Sequence, residues 1–179
     1  MTQKMLKFVN GMMVEYYLYD LIDKYDPILK TKCTEFDFAY PPTNPETLSI
    51  SLLQTMIKYK GLGLAANQVG LKYRVFVMGS GDTWYSCFNP VIIGMSGEEV
   101  KEEGCLSHPG LLLHIKRASV VNLKYFDHKG VEKTDTFTGL TAKIIQHEMM
   151  HLDGLSFTDM VPKVTLQRAQ GKIKRNLKL

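Results

Sequence analysis

The sequence predicts an α+β domain: short antiparallel or mixed strands packed around a central helix that carries a metal-ligand motif, with a further helix at the C-terminus. Three observations predict it. Short strand-like runs follow one another closely between residues 74 and 137; two strongly amphipathic helical segments flank them; and no regular βαβ alternation is present.

Taken in order, the first 40 or so residues show neither a helical nor an alternating apolar period, and their conformation stays open. Pro41-Pro42-Thr43-Asn44-Pro45 then punctuates the chain. Asn44 suits an N-cap and Pro45 the first helical position. A helix is expected from about Pro45 to Lys60, with Leu48, Leu52, Leu53, Met56 and Ile57 on its apolar side and Gly61 as its stop. Four strands are expected next: Arg74–Met78, Tyr85–Ile93, Ala118–Phe126 and Val131–Phe137, with turn clusters such as Gly79-Ser80-Gly81-Asp82 favouring antiparallel pairing. A second helix should start near Thr138, with Leu140, Ile144, Ile145, Met149 and Leu152 as its apolar positions, and stop at Gly154. Beyond Pro162, a third helix would place Leu166, Ala169, Ile173 and Leu177 on one side. No repeat or linker divides the chain, so residues 1–179 read as one domain.

Composition bounds the function. With 179 residues, 45% hydrophobic and 22% charged, the chain can bury a real core, which argues against a disordered or disulfide-stapled protein. The formal charge of +4 is too small to mark the whole fold as a nucleic-acid binder. From Pro162 onwards, however, there are six basic residues (Lys163, Arg168, Lys172, Lys174, Arg175, Lys178) and no acid, so the preceding part holds 16 basic against 18 acidic groups. The basic excess is confined to the tail. Three cysteines, an odd number, and no secretory leader pattern point to the reducing cytoplasm. No apolar run is long enough to predict a membrane span.

The sharpest chemical signal is His147-Glu148-Met149-Met150-His151 within the second helix. Residues four apart share a helical face, so both imidazoles can reach one metal ion, and Glu148 is placed to act on a water beside it. The bland alternative is two surface histidines. Open metal sites commonly have three protein ligands, so a third is needed. Cys105, in Glu103-Gly104-Cys105-Leu106-Ser107, is a candidate beside a distant His or carboxylate, although a lone cysteine is more often a buried hydrophobe. Cys33 and Cys87 take that plain reading. A third segment, Gly61-Leu62-Gly63-Leu64-Ala65-Ala66-Asn67-Gln68, faintly suggests a dinucleotide turn but follows a helix rather than a strand, so no dinucleotide is expected. It reads instead as a loop able to lie against an extended ligand, ending in an amide suited to an oxyanion.

In this order and at these separations the three segments resemble the signature motifs of peptide deformylases: Gly61, Gly63, Ala65, Ala66 and Gln68; Glu103 to Ser107; and Gln146, His147, Glu148, His151, Leu152 and Gly154. The likeness runs from about Tyr25 to the end, leaving residues 1–24 as an N-terminal extension. The resemblance implies Cys105, His147 and His151 as metal ligands, Glu148 as base and then acid, and Gln68 with the Leu106 N–H as the oxyanion donors. It implies a substrate beginning with N-formylmethionine, bound extended along Leu62-Gly63 and Glu103-Gly104, with formate released. It also implies Fe²⁺ as the native metal, with Zn²⁺, Ni²⁺ or Co²⁺ able to substitute, and a ribosome contact through the basic helix 163–179. Ligand chemistry alone would favour zinc. Met150 fills a slot that is usually Asp and would pair with an arginine such as Arg117; Asp153 is expected to take over that pairing. Leu112 and His108 also depart from the usual residues near the outer substrate positions. A zincin-type metalloprotease and a catalytically idle, peptide- or ribosome-binding relative are the alternatives, the first separated by whether Cys105 joins the site.

Overall fold

Helix α1 (Pro45–Lys58) begins where its cap directs: the Asn44 side chain accepts a hydrogen bond from the Thr47 N–H at 2.9 Å, with Pro45 in the first turn. In this computed structural model, which describes residues 3–9, 12–80 and 83–176, the helix ends two residues earlier than its apolar pattern predicts. Its left-handed stop is Lys60 (φ 58°) and not Gly61. Gly61 is needed for another reason, because a Cβ there would lie 2.7 Å from Leu106.

Five antiparallel strands form the central sheet: β3 (Gly63–Ala65), β4 (Val75–Ser80), β5 (Thr83–Ser96), β8 (Val120–Phe126) and β9 (Glu132–Thr138), in the order β3-β4-β5-β8-β9. Side chains alternate between its faces. Val75 and Val77 join Leu48, Leu52 and Met56 of α1 on one face. Phe76 and Met78 join Ala142, Ile145 and Leu152 of α2 (Gly139–Leu152) on the other. The sheet thus lies between the two helices. Cys33 and Cys87 are buried in the α2-side cluster, where burial pushes the Cys33 thiol up to about 11 and the Cys87 thiol well above its ordinary value, so both stay neutral hydrophobes.

Two hairpins complete the fold. The strands β6 (Glu99–Cys105) and β7 (His108–Arg117), not foreseen from the sequence, pair antiparallel and bring Cys105 opposite His108. On β7, Leu111, Leu113 and Ile115 pack with Phe157 against Leu166, Ala169 and Ile173 of α3 (Lys163–Asn176). Leu177 and Lys178 lie outside the described residues. At the other end, β1 (Gln3–Val9) and β2 (Met12–Leu18) pair with each other and dock on α1, the Tyr17 and Tyr19 N–H groups donating to Ser51 Oγ (2.8 Å) and Thr55 Oγ1 (3.0 Å).

Candidate active site

The sequence segments singled out above converge on one cleft of about 670 Å³ between β3, β6 and α2. Leu62, Gly63, Gln68, Glu103, Gly104, Cys105, Leu106, His147 and Glu148 all line it. His151 sits just behind, 3% exposed, with its Nε2 at 3.1 Å from Cys105 Sγ. The Gly-rich segment is not a loop: Gly63 to Ala65 is strand β3, followed by a 3₁₀ turn over Ala66–Val69 that delivers Gln68.

One donor atom each from Cys105, His147 and His151 lies within 4.8 Å of the others. Soft thiolate with two imidazoles is a donor set for a transition metal. Burial pushes His151 well below its ordinary value, keeping it neutral as a ligand must be. His147 is oriented from behind, its Nδ1 at 3.1 Å from Glu103 Oε2, which leaves the other ring nitrogen for the cluster. Burial opposes charge on Glu103, but the hydrogen bonds to His147 and Arg117 outweigh it and hold the carboxyl down at about 2. Its partner Arg117 binds both oxygens, at 3.0 and 3.1 Å, with both side chains buried.

Glu148 faces the same cleft. Burial pushes its carboxyl up to about 7, and its Oε2 has no hydrogen-bond partner. A buried oxygen left unpaired is costly unless something is meant to meet it, so the observation fits a bound cation or water at the cluster. Gly63 makes room for this carboxylate, since a Cβ there would overlap it. The Gln68 carbonyl accepts from the Ala65 N–H at 2.9 Å, so its Nε2 must turn to the cleft, donating to Ser107 Oγ at 3.1 Å and lying 3.6 Å from Cys105 Sγ. Beside it, fully buried Asn67 donates to the His151 carbonyl at 2.5 Å and ties this turn to the end of α2.

One sequence expectation is overturned. Asp153 does not pair with Arg117; it binds Arg74 at 2.6 Å, because at the C-cap of α2 it points towards the start of β4. Arg117 is satisfied by Glu103, and its Nη1 meets the Met150 sulfur at 3.1 Å. Asn67, Ser107 and Phe157, whose ring packs 5.5 Å from His147, were not singled out from the sequence. Asn67 and Ser107 lie inside the Gly61–Gln68 and Glu103–Ser107 segments, a signal that could have found them; Phe157 carried none.

Residues 19–167 match the profile of the family described as polypeptide deformylase. A peptide deformylase of Dictyoglomus thermophilum is 40% identical over 142 residues, covering 79% of this chain and 92% of the relative. Among solved structures, a peptide deformylase of Synechococcus elongatus in complex with actinonin superposes with a TM-score of 0.79 at 33% identity, covering 86% of this chain and 85% of that one. A Met-Ala-Ser-bound class I type b peptide deformylase of Acinetobacter baumannii gives 0.76 at 28% identity, covering 80% and 98%.

Proposed function

This chain belongs to the polypeptide deformylase family, and on that premise we propose how its residues divide the work. The enzyme is a metal-dependent hydrolase that removes the N-formyl group from the N-terminal formylmethionine of newly made peptides, releasing formate. The observation that carries the assignment is the convergence of Cys105, His147 and His151 beside a buried, unpartnered Glu148 oxygen.

Cys105, His147 and His151 would hold the metal. When bound it supplies Lewis acidity and a water acidified from about 15.7 towards 7. Iron(II) is the native ion in this reading, with zinc, nickel or cobalt able to replace it. Cys105 is a ligand and not a nucleophile. Glu148 takes the proton from the attacking water and returns it to the departing amine; a carboxyl raised towards neutrality suits both steps. Gln68 Nε2 and the Leu106 backbone N–H stabilise charge on the formyl oxygen. The peptide lies extended along Leu62-Gly63 and Glu103-Gly104, using the main chain of Glu103 because its side chain is committed to Arg117 and His147. Leu106, Leu112 and Ile144 offer apolar wall for the methionine.

The Met-Ala-Ser ligand of the Acinetobacter relative supports this substrate class. The test is formate release from formyl-Met-Ala-Ser by anaerobically prepared protein, which should be abolished in Glu148→Ala; no release with iron, cobalt or nickel would refute the reading. No described helix is long and apolar enough to cross a membrane, and a cytoplasmic address is part of the proposal. So is ribosome contact: α3 buries Leu166, Ala169 and Ile173 but exposes Lys163, Arg168, Lys172 and Arg175. Reversing the charges of Arg168, Lys172 and Arg175 should abolish ribosome co-sedimentation at low salt.

A further inference from the structure

The cleft has a rim beyond the metal cluster, and α1 supplies part of it in an unusual way. Lys60 adopts a left-handed backbone (φ 58°), a position where glycine or asparagine ordinarily ends a helix. A non-glycine residue there is disfavoured, and such strain is worth tracing to function. Lys60 is exposed and lines the cleft together with Tyr59 and Leu21. The nearby acid is already engaged: Asp20 binds Lys58 Nζ at 3.1 Å and the Tyr59 hydroxyl at 3.3 Å. Among the described residues Lys60 has no ion-pair partner.

Lys143 of α2 lines the same cleft and donates to the Glu102 main-chain oxygen at 2.8 Å, with no carboxylate partner among the described residues. Of the acids that line the cleft, Glu103 is neutralised by Arg117 and His147, and Glu148 is buried beside the metal ligands. Only Glu102 is exposed. The rim therefore presents two ammonium groups against one carboxylate.

We propose that Lys60, assisted by Lys143, is a specificity-determining residue that favours formyl-peptides carrying an Asp or Glu side chain in the one or two positions after methionine. The proposal rests on the deformylase reading and adds the part of the substrate that the signature motifs do not reach. A carboxylate about 7 Å from one solvated lysine gains roughly threefold in affinity, and an ammonium loses as much.

The test compares kcat/KM for formyl-Met-Glu-Ser-amide, formyl-Met-Gln-Ser-amide and formyl-Met-Lys-Ser-amide, and for the series with the variable residue third. C-terminal amides leave the side chain as the only carboxylate. The glutamate peptide should exceed the lysine peptide by roughly 5- to 10-fold at low ionic strength, the difference lying in KM and shrinking with added salt. Lys60→Glu should invert the order. Lys60→Gly, which suits the backbone angle, should reduce it to about twofold. Equal turnover of acidic and basic peptides, or an unchanged ratio in both variants, overturns the proposal while leaving the deformylase reading intact. Turnover of none of the peptides, the glutamine one included, overturns both.

Discussion

The β6–β7 and β1–β2 pairs are the same local device, two consecutive antiparallel strands, yet one lines the cleft and the other docks on α1. The first buries Glu103, Leu111, Leu113, Ile115 and Arg117 and carries Cys105. In the second only Tyr16 is buried among the described side chains, and an exposed Lys4–Glu15 pair at 2.6 Å decorates its surface. The family match begins at residue 19 and so includes one hairpin and not the other. A two-stranded ladder is marginal by itself, so what an element buries, and not its own hydrogen bonds, decides whether it can hold a site rigid.

The largest difference should come from Cys105→Ser on β6: formate release falls to background and metal content measured on the purified protein drops with it, whereas a ligand role is refuted if both survive. Arg117→Ala strands the buried Glu103 carboxylate and should destabilise by about 3–5 kcal/mol in urea unfolding, with metal affinity about 10- to 100-fold weaker through a misaligned His147. Leu113→Ala opens a cavity under α3 and should cost about 2–5 kcal/mol without changing the metal stoichiometry. At the small end, Ser51→Ala removes the hydroxyl that receives the Tyr17 N–H and should cost about 0.5–1.5 kcal/mol. Its signature would be faster amide exchange in β2 with deformylation unaltered; a large loss of activity would erase the contrast between the hairpins.

Much of this arrangement is legible in the sequence because its signals are local. Asn44-Pro45 caps α1, spacing puts His147 and His151 on one face of α2, a continuous apolar run marks β4 and alternation marks β8. The β6 strand escapes because its pattern is inverted: its one fully buried side chain is charged Glu103, so no apolar period appears. The hydrogen-bonded partner of that glutamate lies across the hairpin, and the ion pair of Asp153 reaches Arg74, 79 residues away. Such pairings depend on how elements stack, which periodicity does not encode. Lys60 escapes for a local reason, since the glycine beside it is the ordinary helix stop and conceals it.

The Asn67 bond to the His151 carbonyl joins segments 84 residues apart in the chain. Because it ties the turn bearing Gln68 to the last turn of α2, the amide proposed to face the reacting oxygen and the imidazole proposed to bind the metal are held together by one buried contact. Local opening of either segment has to break this bond, so amide exchange in the Gln68 turn and at the end of α2 should rise and fall together.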